Sequence, residues 1–488
     1  MSPRGREEPA RVIPVGTRPV RTRPAAPSPG VAGATTAAVP VSGGAGGWTA
    51  RRSEGKHPPR RIPGRGAHAH MGRGTRRFGG ARQMIYNLYQ LQEDAATLVE
   101  PLARQASGWL RAWDTGGAEA TALRRVAGVF EVMADAGPTH RKPAFGLDDV
   151  RVGGRRVEVR EEEVLASPFG RLLRFAKGVA DPGPPVLVVP PLSGHFATRV
   201  RGTVAALLAE HDVHVADWTD AREVPAAAGP FGLDELVASI AAFLRAIGPG
   251  AHLLTVSQPG VAALAATALM AEDGCPERPR SLTLIAGPVD TRVNPNRDHL
   301  LARALPLAWF ERNATATVPE RFPGAGRRVY PGALMLAATL AKDPGRHTGA
   351  GFVRLHDIGA GDAAAVEAHR RAQDEFRSVM DVAAELYLDT VRRVFQEHEL
   401  PLGRMTWRGR PVRPEAIQDT VLLAVEGEGD ETCPPGQTRA ALDLCRGLDP
   451  ALKRYHLQAG ADHYALFEGP VWEAEIYRAV RAAIRSAG

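Results

Sequence analysis

Between Val186 and Leu457, short runs of apolar residues alternate with longer stretches in which apolar positions recur at helical spacing. The runs Val186–Val189, Val213–Ala216, His252–Val256, Leu282–Ala286, Val421–Glu426 and Arg454–Leu457 predict strands. The intervening pattern predicts helices over 198–209, 232–247, 260–272 and 436–446, with a last one over 472–486. A strand that is apolar throughout is one buried on both faces, as in a parallel sheet covered by helices. Strands alternating with helices in this way indicate an α/β fold with a doubly wound, mostly parallel sheet.

The pattern changes on either side of this core. Arg156–Leu165 and Leu172–Lys177 alternate apolar and polar residues, which predicts an antiparallel hairpin ahead of the main sheet. Met84–Ala134 has helical spacing at Leu88, Leu91, Leu98, Leu102, Leu110, Leu123 and Val129, with Gly and Asp breaks. Residues 291–412 also read as helical and are too long for a connection inside a compact sheet. They are expected to form an inserted cap that shapes a ligand cleft at the carboxyl ends of the strands. The expected organisation is therefore a leader over 1–83, a helical segment over 84–150, a core over 151–290 and 413–488, and the cap over 291–412. No internal repeat is evident.

Composition adds most at the amino terminus. The 488 residues carry a formal charge of +7, but sixteen of the 61 Lys and Arg and only three of the 54 acidic residues lie in 1–83. The remainder is net negative, with 45 basic and 51 acidic residues. A leader so rich in Arg, Pro, Gly and Ala cannot bury enough apolar surface to offset its chain entropy, and it is expected to be disordered. It has neither the aromatic-basic interleaving of a nucleic-acid module nor the amphipathic period of a transit peptide. Met84, followed by Ile85-Tyr86-Asn87-Leu88-Tyr89, is an alternative start of translation. Cys275, Cys433 and Cys445 make no C-x-x-C pair and no even disulfide set, which fits a reducing compartment. No apolar run approaches the roughly 18 residues that span a bilayer, so a cytoplasmic protein is expected.

The candidate chemistry centres on Leu253-Leu254-Thr255-Val256-Ser257-Gln258-Pro259-Gly260, where an apolar run ends on a serine and turns into an Ala-rich helix. A serine at a sharp strand-to-helix turn presents its hydroxyl above the sheet, as a hydrolase nucleophile does. The pattern G-x-S-x-G is imperfect here, with Thr255 and Pro259 in the glycine positions. Such a serine needs a histidine base and an acid to orient it, in the chain order Ser, acid, His. Strand Val421–Glu426 leads to Asp430, and strand Arg454–Leu457 leads to His463. Asp290, Glu428 and Glu431 are rival acids, Asp290 the most serious because it follows the strand after the elbow. An oxyanion needs two N–H donors, one from the residue after the nucleophile and one from the loop after the first parallel strand. Gln258 supplies the first. In Pro190-Pro191-Leu192-Ser193-Gly194-His195, proline has no N–H, so Leu192 is the first candidate and Ser193 the second.

Each residue has a plainer reading. Ser257 alone could cap a helix, Asp430 alone could serve a turn, and His463 alone could be structural. His195 and Ser193 either contact substrate or hold their loop. Cys433, near Asp430, reads as a buried inert thiol rather than a second nucleophile. His211 and His214 lack further ligands at metal spacing, and no metal or cofactor is expected.

From Met84 to its end the chain resembles the intracellular polyhydroxyalkanoate (polyhydroxybutyrate, PHB) depolymerases of the α/β-hydrolase superfamily. The likeness is carried by Pro191–Thr198 with Arg201-Gly202-Thr203, His214–Trp218, Ser257-Gln258-Pro259, Gly287–Arg292, Val329–Gly332, Val425–Glu428 leading to Asp430, and Asp462–Gly469. The resemblance implies a triad at Ser257, Asp430 and His463, a storage polyester of 3-hydroxy acids as substrate, and a location at the surface of storage granules. The family pattern has cysteine at the nucleophile, where this chain has Ser257, and glycines where it has Asp462 and Ala465. Glu431 also differs mildly from that pattern. Two other functions share these features. A polyester synthase-like acyltransferase would need a cysteine thioester, and a granule-binding protein without activity would follow from an altered nucleophile.

Overall fold

The computed structural model describes residues 76–112, 123–124, 126–128, 130, 137–342 and 363–488. Most of the expected leader lies outside these residues. A single helix runs Arg76–Ala112, with Pro101 inside it. The Gly and Asp breaks expected over 84–134 do not interrupt this helix as far as Ala112; most of 113–136 lies outside the described residues.

Seven strands precede the long excursion of the chain: β1 Asp149–Val152, β2 Arg155–Ser167, β3 Gly170–Lys177, β4 Pro185–Val189, β5 Asp212–Trp218, β6 His252–Val256 and β7 Ser281–Ile285. Within the excursion are β8 Ala316–Thr317, β9 Arg328–Tyr330, β10 Val382–Ala383, β11 Thr406–Trp407 and β12 Arg410–Pro411, and after it come β13 Val421–Gly427 and β14 Lys453–Gln458. The main sheet has the order β1-β2-β3-β5-β4-β6-β7-β13-β14. β1 to β3 and the β3–β5 pair are antiparallel, and from β5 to β14 every neighbour is parallel.

Two apolar cores, one on each face, explain why β4 to β7 and β13 read as largely apolar runs. Leu187, Val189, Leu253, Leu282, Leu284 and Leu422 join the core with helices Leu233–Ile247 and Pro259–Glu272. Val186, Val188, Leu254, Val256, Ile285, Leu423 and Val425 face the other way, against helices Arg201–Leu208 and Tyr477–Ser486. The period-2 alternation of side chains sends neighbours to opposite cores, and both cores are apolar. Helix Pro259–Glu272 is buried on all sides from Pro259 to Met270, as befits an apolar helix at the centre of a large domain.

The chain leaves the sheet after β7 and returns at β13, which pairs directly with β7. This excursion is not wholly helical, as its pattern suggested. Helices Arg297–Ala304, Leu307–Asn313, Gly332–Lys342, Ala363–Arg377 and Ala384–Asp389 are accompanied by a three-stranded sheet β10-β9-β8 and the small ladder β11-β12. It touches the carboxyl edge of the main sheet, where Met380 N donates to Gly194 O (2.8 Å) in the loop after β4. Asp381 N donates to Asp220 Oδ1 (3.0 Å) in the loop after β5.

Candidate active site

Ser257 is the first residue beyond β6 and has φ 66. The left-handed region is costly for a residue with a Cβ, of order 1–3 kcal/mol where the surroundings impose it. Here the surroundings do so with two main-chain bonds: Ser257 N donates to Ile285 O (2.8 Å), and Ser257 O accepts from Gly260 N (3.0 Å). The turn feeds helix Pro259–Glu272, whose first residue is a proline, a position where the missing N–H costs nothing. The glycine that the elbow pattern places at 259 is supplied one residue later. A Cβ on Gly260 would lie 3.3 Å from Gly287 Cα and 3.6 Å from Thr255 Oγ1, so the close approach of helix to strand is met at 260.

Asp430 and His463 lie beyond the carboxyl ends of β13 and β14, which are parallel neighbours. Their loops are zipped together: Glu428 N donates to Gln458 O (2.9 Å) and Gly429 N to Ala461 O (3.0 Å), and Gly460 N donates to Glu428 Oε2 (3.0 Å). A Cβ on Gly427 would stand 2.5 Å from Ala461 O, so this seam requires glycine. The structure thereby brings Asp430 and His463 into contact, with Oδ2 2.7 Å from Nδ1. Asp430 is 2% exposed, and its other oxygen accepts from Thr432 N and Cys433 N, both at 2.8 Å. A carboxylate fixed by two amides and facing Nδ1 holds the ring proton on that nitrogen, which leaves Nε2 to act as an acceptor. The rings of Tyr464 and Phe467 stand edge-on to His463.

The rival acids are engaged elsewhere. Asp290 accepts from Arg292 Nε (2.8 Å), Arg292 Nη2 (2.7 Å) and Arg292 N (3.1 Å). Burial works to raise its carboxyl, but the bonds from Arg292 outweigh this and hold it below the usual carboxylate value. Glu428 is taken by Gly460, and Glu431 is exposed. Cys433 is buried, and burial, with Asp430 beside it, pushes its thiol well above the ordinary value, so it is not a thiolate.

Leu192 is buried and Ser193 half-buried in the loop after β4. The amides of Leu192 and Gln258 donate to no protein acceptor among the described residues. Gly194 has φ 122, and Met335 of the excursion packs where a Cβ would be, its Cε at 3.0 Å. His195 is buried, with Nδ1 3.1 Å from Ser378 O. Burial and the nearby Arg199 lower its pKa to about 4, so near neutrality the imidazole is uncharged and Nδ1 donates to that carbonyl.

One cluster escaped the sequence reading. His140, Asp220 and Asp381 are all buried, with potential ligand atoms within 4.8 Å of one another. Among the described residues this is the group whose donors could hold a metal ion. Its atoms already bond one another: His140 Nδ1 is 2.5 Å from Asp220 Oδ2, and Tyr86 Oη donates to Asp381 Oδ2 at 2.5 Å. Arg222 Nε lies 3.6 Å from Asp220 and compensates its charge. No motif signals this cluster, because its three members come from three distant segments. His211 and His214 are buried at the amino end of β5, and burial lowers both.

A parallel sheet with a strained serine turn after one strand, and an acid–histidine pair after the last two, defines the α/β-hydrolase class. Residues 286–488, which carry Asp430 and His463, match the family described as "PHB de-polymerase C-terminus". This match and the fold together support an ester hydrolase. Similar solved structures include an α/β-hydrolase fold protein from Nakamurella multipartita (18% identity, 67% of this chain and 100% of that one, TM-score 0.36). A monoacylglycerol lipase from Paleococcus ferrophilus has 16% identity over 68% of this chain and 100% of that one, TM-score 0.39. The enol-lactonase from Burkholderia xenovorans LB400 has 15% identity over 69% of this chain and 99% of that one, TM-score 0.38. No curated protein matches the chain. Among the described residues no helix is long and apolar enough to cross a membrane.

Proposed function

We propose that the protein hydrolyses the ester bonds of a poly(3-hydroxyalkanoate) storage polymer through an acyl-enzyme on Ser257. The observation that carries the reading is the buried Asp430–His463 pair, 2.7 Å apart on the two strand-end loops, at the same sheet edge as the strained Ser257 turn. In this reading His463 Nε2 takes the Ser257 proton as Oγ attacks the ester carbonyl, while Asp430 stabilises the imidazolium that forms. The tetrahedral oxyanion rests on the N–H groups of Gln258 and Leu192. His463 returns the proton to the leaving alkoxide, and water activated by the same ring then releases a 3-hydroxyacyl product and frees Ser257. His195 and Ser193 border the acyl site. The polymer as substrate follows from the family match and the motifs around the three residues. Granules in the cytoplasm are the expected place of action.

The test is Ser257→Ala, assayed on amorphous PHB granules and by labelling with a fluorophosphonate. The variant is expected to lose both activities while keeping the circular dichroism of the parent. Full retained hydrolysis by a folded variant would overturn the assignment, and hydrolysis of soluble esters without any action on granules would overturn the polymer.

A further inference from the structure

The segment Ser378–Asp381, where the excursion turns back towards the sheet, lies between two others. On one side Thr139 N donates to Arg377 O and Val379 N to Thr139 O, both at 2.9 Å. On the other, Met380 N donates to Gly194 O (2.8 Å), His195 forms an antiparallel bridge with Val379, and His195 Nδ1 bonds Ser378 O. The loop after β4 is therefore held as one ply of a three-ply contact made by segments far apart in sequence.

What holds the middle ply is the side chain of Asp381, wholly buried. Its Oδ1 accepts from Gly332 N (3.0 Å) and its Oδ2 from Tyr86 Oη (2.5 Å). Its main chain is fixed as well, with N on Asp220 Oδ1 (3.0 Å) and O accepting from Ala221 N (3.0 Å). His140 follows Thr139 and closes the group, with Nδ1 on Asp220 and Nε2 3.9 Å from Asp381 Oδ1. Gly332 fits against this turn without a side chain, since a Cβ there would lie 2.5 Å from Met380 O. Tyr86 belongs to the long amino-terminal helix, so three segments outside the parallel strands, those of Tyr86, His140 and Gly332, converge on one carboxylate.

We propose that Asp381 is a positioning residue for the hydrolytic reaction: with Tyr86, His140 and Asp220 it clamps Ser378–Asp381 onto the loop after β4, and so fixes where the Leu192 N–H points. This rests on the assignment of Ser257 and Leu192 made above. The loop begins with two prolines and contains a glycine at φ 122. Its Gly194 carbonyl is anchored by Met380, the residue next to Asp381. An oxyanion donor acts only if it is aimed before the charge develops, and a misplacement of about 1 Å can cost on the order of a hundredfold in rate. The amino-terminal helix then has a task in the chemistry although none of its residues touches the ester.

The test uses the full chain with Asp381→Asn, which keeps size and removes the charge, and Tyr86→Phe, which removes one hydroxyl. With p-nitrophenyl butyrate as a soluble ester, Asp381→Asn should lower kcat by about a hundredfold with KM within about twofold. Its rate of fluorophosphonate labelling should fall in parallel, and Tyr86→Phe should lower kcat by a smaller factor in the same way. A folded Asp381→Asn with the parent's kcat and labelling rate would overturn the proposal, even if its melting temperature were lower, because a purely structural role moves only the latter. Should Asp381→Asn fail to fold, Tyr86→Phe decides alone, and an unchanged kcat there overturns the clamp. Loss of labelling in Ser257→Ala with normal kcat in both variants would sink only the clamp, whereas persistent labelling in Ser257→Ala would sink the parent reading.

Discussion

Replacing Asp430 by Asn separates orientation from placement at this site. The carboxylate makes three bonds, two through Oδ1 to Thr432 N and Cys433 N and one through Oδ2 to His463 Nδ1. Both amides can be retained only if the Asn oxygen occupies the Oδ1 position, which turns its NH2 towards His463. Nδ1 must then accept, the ring proton moves to Nε2, and the nitrogen proposed to receive the Ser257 proton becomes a donor. A triad forced into the wrong tautomer loses about four orders of magnitude in kcat, or about 5.4 kcal/mol of transition-state stabilisation. Stability should change little, within about 1–2 kcal/mol, because a neutral hydrogen bond replaces a charge-assisted one in an unchanged shape. The assay is kcat/KM on p-nitrophenyl butyrate, with urea melts of the same preparations. Asp290→Asn is the control: it breaks the Arg292 pair but leaves His463 untouched. The reasoning fails if Asp430→Asn stays within tenfold of the parent, or if the four orders are lost in Asp290→Asn instead.

Two further outcomes follow from the same coordinates. Gly427→Ala places a methyl 2.5 Å from Ala461 O, a backbone atom that cannot step aside, so the seam between the acid and histidine loops must open. A cost of about 1–3 kcal/mol in urea is expected, together with reduced activity; a variant as stable and as active as the parent would show that the seam does not set the pair. The His140 network should make stability depend on pH. Burial lowers His140, but Asp220 and then Asp381 outweigh it and raise the ring above 6.5, while burial raises Asp381 to about 6. Both shifts have one sign: the contribution of His140 is complete below pH 6.5 and is lost as pH rises through its raised value. That of Asp381 is complete below its ordinary carboxylate value and lost as pH rises through about 6. Arg222, paired with Asp220 and Glu93, and Tyr86 are the other charged or titratable groups facing the network. The melting temperature should therefore fall with rising pH above about 6.5, and His140→Gln should flatten that slope; an identical slope in the variant would locate the titration elsewhere.

The central parallel strands were legible because alternate apolar residues enter two apolar cores, so few polar positions interrupt their pattern. The turn at Ser257 and the contact of Asp430 with His463 were legible because each residue follows a strand within a few positions, so topology and residue type agree. Contacts made only by folding were not legible. Tyr86 and Asp381 are 295 residues apart, and nothing local to either announces the other. The helix expected over 436–446 shows another limit, since only Ala440–Leu444 is helical. The buried Glu426 carboxylate accepts from Gly436 N, Thr438 N and Arg439 N, so the chain wraps around it where the first helical turn was expected. The short strands β8 to β10 have two or three residues each, too few for a period to register.

The left-handed turn at Ser257 has a consequence for how nucleophiles can be exchanged in such a scaffold. The position above the sheet is held by Ile285 O, Gly260 N and the Gly260–Gly287 contact, all of them main-chain features. The socket is therefore indifferent to which heavy atom the side chain carries, oxygen or sulfur. An interchange of serine and cysteine by a single substitution therefore leaves the turn itself in place, and the choice between them falls to the reactivity and size of that atom.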